Sequence, residues 1–217
     1  MPQPLTVSGV GERHPVSDII LSFIWSFDLT SFGRMPESTL FRSGFRGKAA
    51  WVLLSIVGFI ACDQITKGIA RETLATGGPI SLANDTFRFT YAENTGVFLG
   101  LGNDLPPQLR FGLFTVIVGV VLLWILAEML RRQSEDHGRI VAVTLILAGG
   151  FGNLIDRIVN GGVVVDFMNM GIGPLRTGVF NVADVLITTG ALMFLFLEFL
   201  RSRSRRQRDA VETAPAN

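Results

Sequence analysis

Four apolar segments, each long enough to cross a lipid bilayer, dominate the sequence. They run from Ala49 to Lys67, from about Phe111 to Leu130, from about Ile140 to Arg157 and from about Val179 to Leu200. A membrane-spanning helix needs about 20 predominantly apolar residues. The mean hydropathy is +0.44, and only 17% of the residues are charged. We therefore predict an all-α membrane protein with four transmembrane helices.

Lysine and arginine flank these segments unequally. They concentrate before the first segment, between the second and third, and after the fourth: Arg42, Arg46, Lys48, Arg131, Arg132, Arg139, Arg201, Arg203, Arg205, Arg206 and Arg208. Basic loops stay in the cytoplasm. We therefore expect both termini on the cytoplasmic side of the membrane. The loops from about Gly68 to Arg110 and from about Ile158 to Gly178 then face outward.

The chain divides into three parts by composition. Residues 1–46 form an N-terminal cytoplasmic extension, residues 47–201 the membrane core, and residues 202–217 a basic tail that we expect to be disordered. Two interpretations of the first 34 residues stay open. The short apolar stretch between Asp18 and Asp28 is an interfacial helix, or the start is misassigned and Met35 is the true beginning.

The first outward loop is too long for a simple connector. Within it, T-F-R-F-T-Y-A-E-N-T-G alternates between apolar and polar residues and ends in a turn that contains Asn94 and Gly96. Pro106 and Pro107 precede the second span. The pattern predicts a small β-sheet lying on the outward surface of the membrane.

Four aspartates lie at the outward ends of the apolar segments: Asp63, Asp156, Asp166 and Asp184. An ionisable side chain at membrane depth costs at least ~2.5–3.5 kcal/mol and usually has a use. Two carboxylates held close together share one proton, so one acts as base and the other as acid. Asp166 and Asp184 are the candidate pair for attack of water on a peptide carbonyl. The alternative is that each caps a helix or pairs with Arg157 or Arg176.

Other polar residues near the same surface have structural interpretations as well as functional ones. Asp63 and Lys67 are spaced i,i+4 and predict an ion pair. Asp156 and Arg157 are adjacent and do not face each other on a helix, so we expect each to pair with another residue. We expect a structural role for Asp156. The amides of three asparagines can donate to a developing oxyanion, or can cap a helix or hold a loop: Asn94, Asn153 and Asn181.

The remaining signals concern packing. Glycines 149, 150 and 152 predict close approach of helices, and glycines 161 and 162 predict a turn before Asp166. Cys62 is the only cysteine, so an intramolecular disulfide is excluded, and we expect it to be buried. We expect no metal site, no cofactor and no nucleic-acid partner.

Five sequence blocks resemble the lipoprotein signal peptidase (signal peptidase II) family. They are D-Q-I-T-K from Asp63, N-T-G-V-F from Asn94, G-N-L-I-D-R from Gly152, V-V-D-F from Val164 and F-N-V-A-D from Phe180. The resemblance covers about residues 47–201. It implies an aspartyl endopeptidase that removes signal peptides on the amino side of a diacylglyceryl-modified cysteine. It also implies a prolipoprotein substrate, contact with membrane lipids and inhibition by globomycin. It places the protein in a bacterial inner membrane, with the small β-sheet on the periplasmic side.

By this resemblance Asp166 and Asp184 are the catalytic pair. Eight further positions match residues that shape or support the family's site: Asp63, Lys67, Asn94, Gly96, Asn153, Arg157, Asn181 and Ala183. The chain departs from the family pattern at Glu93, where a basic residue is usual, and at Gly96, Val97 and Phe98, where the family usually reads G-A-A-F. The link at Gly161–Gly162 is one residue longer. These departures bear on substrate preference.

Two rival functions remain open from the residues alone. A proton- or cation-coupled carrier would place its carboxylates at mid-membrane or at alternating depths, often within inverted repeats. No such repeat is present, and the acids cluster at one level. A membrane scaffold would use its acids only to pair with basic residues such as Lys67, Arg157 and Arg176.

Overall fold

The computed structural model of the chain describes residues 43–96, 105–131 and 136–212. Helix α1 is Ser43–Gly77. Helix α2 passes without a break through Pro107–Phe111, a π-helical stretch Gly112–Ile117, and Val118–Arg131. Helix α3 is His137–Val159 and α4 is Val182–Glu212. The strands are β1 (Ile80–Leu82), β2 (Phe87–Asn94), β3 (Val164–Ile172) and β4 (Leu175–Arg176).

The described residues contain four helices that are long and apolar enough to cross a membrane. The candidate spans are Gly47–Gly77, Gln108–Arg131, His137–Val159 and Val182–Ser204. The prediction of four transmembrane helices with a small β-sheet is therefore confirmed.

Two helices extend further than the sequence analysis expected. α1 continues past Lys67 to Gly77, because the first helix-breaking pair in the chain is Gly78-Pro79. Gly78 adopts a left-handed φ of 79° and donates its N–H to the Leu74 carbonyl. α4 continues to Glu212, so the expectation of disorder was wrong for residues 202–212. That segment lacks glycine and proline and is rich in good helix formers such as arginine.

The helices pack in the unit Glu37–Leu197 around buried apolar side chains. This core consists of Val52, Ile56, Leu122, Met129, Leu147, Ala148 and Leu186. Large apolar side chains on the opposite helix faces are exposed, as expected for surfaces that contact lipid. Trp51 on α1 is 75% exposed and Phe196 on α4 is 60% exposed. Cys62 is also exposed, so the prediction that it is buried was wrong: it lies on an outward face of α1.

The remaining unit comprises residues 1–36 and Glu198–Asn217. Its described part is the end of α4, where Arg201 pairs with Glu198 one turn earlier at 3.0 Å. The predictions for residues 1–42 lie outside the described residues.

The four strands form one antiparallel sheet in the order β1-β2-β3-β4. The predicted strand is β2, and its register with β3 shifts between Phe89 and Ala92, so that Ala92 lies opposite Asp166. Phe167 on β3 packs with Ala70 and Leu74 of α1, which fixes the sheet against the end of that helix.

The sheet also reaches the start of α4. The backbone N–H of Phe180 donates to the Met168 carbonyl at 2.8 Å. Glycines 161 and 162 form the predicted turn between α3 and β3, with φ values of 64° and 101°. β3 is therefore held between the end of α3 and the beginning of α4.

Candidate active site

Asp184 lies in the first turn of α4 and takes part in a reciprocal cap with Asn181. The Asp184 N–H donates to Oδ1 of Asn181 at 2.9 Å, and the Asn181 N–H donates to Oδ2 of Asp184 at 3.1 Å. This is the geometry of a capping box, formed here by asparagine and aspartate. A helix N-terminus favours a negative charge. The helix-cap alternative from the sequence is therefore correct for Asp184, but the cap leaves its Oδ1 facing another partner.

Asp166 lies in the buried part of β3 and is 2% exposed. Its Oδ2 accepts from Nδ2 of Asn94 at 3.0 Å, and its Oδ1 accepts from Nδ2 of Asn181 at 2.6 Å. Burial raises the pKa of Asp166 to about 6. The amide of Asn94 opposes this rise in pKa, and the nearby charge of Asp184 adds to it.

Asn181 thus contacts both aspartates. Its side chain donates to Asp166 and its backbone donates to Asp184. Asn181 is completely buried. One residue, fixed by the start of α4, therefore brings the two carboxyl groups into a common site.

Asn153 on α3 supplies the remaining partner of Asp184. Its Nδ2 donates to Oδ1 of Asp184 at 2.9 Å. Its Oδ1 accepts from the Lys67 ammonium at 2.9 Å and from Asn181 at 3.1 Å. Because an ammonium group can only donate, it fixes which end of the Asn153 amide faces Asp184.

Lys67 is the cation of a buried cluster beneath the site. It is 4% exposed and pairs with Asp63 at 2.7 Å and with Asp156 at 3.1 Å. The predicted Asp63–Lys67 ion pair is confirmed. Asp63 also accepts the N–H of Ala183 at 2.9 Å, and Asp156 accepts the N–H of Val165 at 3.0 Å. The cluster therefore connects α1 and α3 to the backbones that carry Asp166 and Asp184.

Arg157 orients the site through backbone rather than through an aspartate. Its guanidinium donates to the carbonyl of Gly96 at 2.7 Å and to that of Asn153 at 3.2 Å. The Gly96 N–H in turn donates to Oδ1 of Asn94 at 3.0 Å, which directs Nδ2 of Asn94 towards Asp166. The prediction that Asp156 and Arg157 pair elsewhere is confirmed.

Small residues allow α3 to approach the start of α4. A Cβ at Gly149 would lie 2.3 Å from the carbonyl oxygen of Ala183, and one at Gly152 would lie 2.7 Å from Oδ2 of Asp63. Ala183 itself is fully buried. The predicted close approach of helices at these glycines is confirmed.

A cavity of about 420 Å³ opens beside the carboxyl group of Asp184. Asp184 and Asn94 contribute to its wall, together with apolar side chains and threonines. The other lining residues are Met170, Thr177, Gly178, Val179, Phe180, Val185, Thr188 and Thr189. A bound molecule in this cavity would lie against Asp184.

Sequence reasoning missed Gln64 as a site residue, although it lies inside the D-Q-I-T-K block. Its Nε2 lies 2.9 Å from Oδ1 of Asp156, 3.2 Å from the Gly152 carbonyl and 3.3 Å from Oδ2 of Asp63. Its position between Asp63 and Lys67 was the available signal.

Arg176, considered as a partner for the catalytic candidates, instead pairs with Asp85 at 3.0 Å. Within the described ranges, no three His, Cys, Asp or Glu side chains are grouped to hold a metal ion.

Comparison with known proteins agrees with these blocks and this geometry. Residues 55–200 match the family model described as signal peptidase (SPase) II. The chain belongs to the signal peptidase II family. It is therefore a peptidase and a multi-pass membrane protein, and the resemblance stated from the five sequence blocks is confirmed.

Relatives in this family are similar over most of their length. The lipoprotein signal peptidase of Chlorobium phaeobacteroides is 36% identical over 67% of this chain and 88% of its own. That of Pseudomonas syringae pv. tomato is 35% identical over 78% and 95%. A solved bacterial membrane enzyme aligns with a TM-score of 0.61 at 24% identity, covering 77% of this chain and 94% of its own, and shares the fold.

Proposed function

We propose that the protein is an aspartyl endopeptidase that cleaves prolipoproteins on the amino side of a diacylglyceryl-modified cysteine. Asp166 and Asp184 are the catalytic residues in this proposal. The site faces the periplasm of a bacterial inner membrane, with both termini in the cytoplasm. The names of the relatives support a lipoprotein substrate, and the arrangement of arginine and lysine supports the orientation.

The observation that carries the proposal is the bridging position of Asn181. It donates to Oδ1 of Asp166 and to Oδ2 of Asp184 from a single buried residue. Two carboxyl groups in such an arrangement favour a state with one shared proton. The cavity lined by Asp184 and Asn94 offers space for a peptide beside them.

The carrier and scaffold alternatives fit these contacts less well. The site's acids gather at one end of the helices around the start of α4, rather than at alternating depths. On the outward side of the described ranges, lysine and arginine form ion pairs with Asp63, Asp85 and Asp156. None of these ion pairs involves Asp166 or Asp184. Two carboxyl groups that make no direct ion pair are suited to sharing a proton.

The chemistry divides between the two carboxyl groups. We assign Asp184 as the base, because its two carboxylate oxygens accept from Asn153 and from the Asn181 backbone, and Asp166 as the acid, because burial raises its pKa to about 6. Asp184 takes a proton from a water whose oxygen attacks the scissile carbonyl, and Asp166 gives its proton to the carbonyl oxygen. Collapse of the tetrahedral intermediate then breaks the C–N bond. Asp184 returns its proton to the leaving amine, and Asp166 recovers its own from the former carbonyl oxygen.

The substrate's lipid explains why this chemistry belongs at a membrane. Acyl chains hold a modified cysteine at the bilayer surface, with about 0.8 kcal/mol for each buried CH₂. The edges of the sheet can pair with the extended signal peptide through backbone hydrogen bonds. Globomycin-type inhibition is part of the same proposal.

Conservative substitution of the pair tests the proposal. Asp166→Asn and Asp184→Asn should each abolish cleavage of a lipidated prolipoprotein by the purified protein, while membrane insertion stays normal. The matched control is Asp85→Asn, which changes an aspartate in the β1–β2 turn and should cleave normally. Retained cleavage in either variant of the pair would refute the assignment, and a globomycin-insensitive wild type would refute the inhibitor prediction.

A further inference from the structure

The cavity beside Asp184 continues along α4. Its helical wall consists of Asp184, Val185, Thr188 and Thr189. Residues four apart share a helix face, so Thr188 follows Asp184 and Thr189 follows Val185. Both threonines are exposed, and both lie inside the candidate span Val182–Ser204.

Two exposed hydroxyl groups are unusual on this part of α4. The neighbouring exposed side chains further along the helix are apolar, including Leu192 at 62% and Phe196 at 60%. A hydroxyl that leaves water costs free energy unless it finds a hydrogen-bond partner. A helical threonine often satisfies this need by donating to the carbonyl four residues earlier, as Thr144 does to Ile140 at 2.7 Å.

Thr188 and Thr189 do not make that bond. Among the described residues, no hydrogen bond is recorded for either hydroxyl. Both are therefore free to donate into the cavity. The groups they would meet must be acceptors that enter an otherwise largely apolar space next to Asp184.

We propose that Thr188 and Thr189 bind the ester carbonyl oxygens of the substrate's diacylglyceryl group. The inference rests on the proposed function, because it takes the lipidated cysteine as the occupant of the site. It assigns these two residues a part in selecting the lipid, which the catalytic aspartates do not perform.

The dimensions fit this assignment. Thr188 lies four residues beyond Asp184, or about 6 Å along the helix axis at a rise of 1.5 Å per residue. In the substrate, the cysteine side chain, its thioether sulfur and the glycerol carbons separate the scissile bond from the ester groups. This distance corresponds to about one to two turns of a helix. The glycerol and its esters would fill the cavity, and the acyl chains would continue along the exposed apolar side chains of α4.

A comparison of diester and diether substrates distinguishes hydrogen bonding by the two threonines from simple apolar contact. An ester carbonyl oxygen accepts hydrogen bonds, whereas a dialkylglyceryl group has a CH₂ in place of each carbonyl and so has no acceptor at that position. A neutral hydrogen bond contributes enough for the wild type to prefer the diester by about three- to tenfold in kcat/KM. Removing both hydroxyls should remove that preference.

The experiment compares two synthetic prolipopeptides that differ only in diacylglyceryl or dialkylglyceryl linkage, in detergent micelles. The double variant Thr188→Val/Thr189→Val keeps the side-chain shape and should reduce the diester-to-diether ratio to about one. Thr188→Ser/Thr189→Ser keeps the hydroxyls and should retain the wild-type ratio. The control is Thr73→Val, an exposed threonine on α1 that donates to the Ile69 carbonyl.

Each outcome bears on a different claim. A wild type that cuts both lipopeptides equally well, or a valine variant that keeps the preference, would overturn the threonine assignment while leaving the peptidase proposal intact. Equal slowing of both substrates would also overturn it, because it would indicate that a membrane phospholipid or the peptide occupies the cavity. A wild type that cuts neither substrate would contradict the proposed function and this inference together.

Discussion

Nδ2 of Asn181 lies 2.6 Å from Oδ1 of Asp166, and this contact stabilises the charged form of a carboxyl group that burial makes hard to ionise. Asn181→Ala removes the contact and should raise the pKa of Asp166 further. We expect kcat to fall by about 100-fold, because the two carboxyl groups lose their common partner. We also expect a loss of about 1 kcal/mol of stability from the broken helix cap.

A pH–rate profile separates this role from a purely structural one. The limb that reports Asp166 should move to higher pH in Asn181→Ala, whereas a cap without catalytic influence would leave the profile unchanged in shape. Asn160→Ala is the matched control, since Asn160 lies at the end of α3 and contacts Arg71. It should leave both kcat and the profile as in the wild type.

The raised pKa of Asp166 should also appear in stability. The folded-state pKa is about 6 and the ordinary value is 3.8. The folded state therefore binds the proton more tightly, so this contribution is complete below pH 3.8 and is lost as the pH rises through about 6. Thermal unfolding in detergent should show that the wild type loses up to about 3 kcal/mol relative to Asp166→Asn across this range.

Asp85 provides the control for the pH dependence of stability. Hydrogen bonding from Arg88 lowers the pKa of Asp85 to about 2, so its titration falls below the relevant range. Asp85→Asn should leave the slope of stability between pH 4 and 6 unchanged. Parallel curves for the wild type and Asp166→Asn would contradict a raised pKa at Asp166.

Removal of the buried cation should destabilise the fold. Lys67→Met leaves Asp63 and Asp156 buried without their shared partner, at an expected cost of about 3–5 kcal/mol. Adding Asp63→Asn should recover part of the stability but not the activity, because nothing then orients the Asn153 amide towards Asp184. Thermal unfolding and a cleavage assay measure the two effects.

An exposed ion pair provides the comparison for Lys67. Arg88→Met breaks the pair with Asp85, in which both side chains are about 40% exposed, and should cost much less stability than Lys67→Met. A Lys67→Met protein as stable as Arg88→Met would show that the buried cluster does not hold the helices together.

The contact between α3 and α4 should control the position of Asp184. Gly149→Ala places a methyl group 2.3 Å from the Ala183 carbonyl oxygen, so the start of α4 must shift. We expect destabilisation of about 1–3 kcal/mol together with reduced cleavage. Gly58→Ala, which meets no atom within 4 Å on α1, should be neutral or slightly stabilising. Equal behaviour of the two variants would contradict the close contact.

Parts of the site could be predicted because their signals are local in the sequence. Asp63 and Lys67 share a helix face by spacing alone, and their ion pair follows. The paired glycines 161 and 162 mark the chain reversal before β3. The five blocks were sufficient to indicate the family, since their order and spacing along the chain match it.

Other features could not be predicted, because they depend on residues that are distant in the sequence. The hydrogen bond from Ala183 to Asp63 joins residues 120 positions apart. The exposure of Cys62 and the bridging role of Gln64 depend on which face of α1 meets α3. Spacing gives the period of a helix, but in a segment that is apolar on all sides it does not identify the face that packs.

The sequence by itself determined the number of spans, the strand in the outward loop and the grouping of the acids, because apolar length and alternation are properties of short segments. Only the tertiary structure decided that Asn181 contacts both Asp166 and Asp184, and that Lys67 orients the Asn153 amide. The physical reason is directional: a hydrogen bond requires donor and acceptor to meet within about 3 Å, and only packed helices fix that geometry.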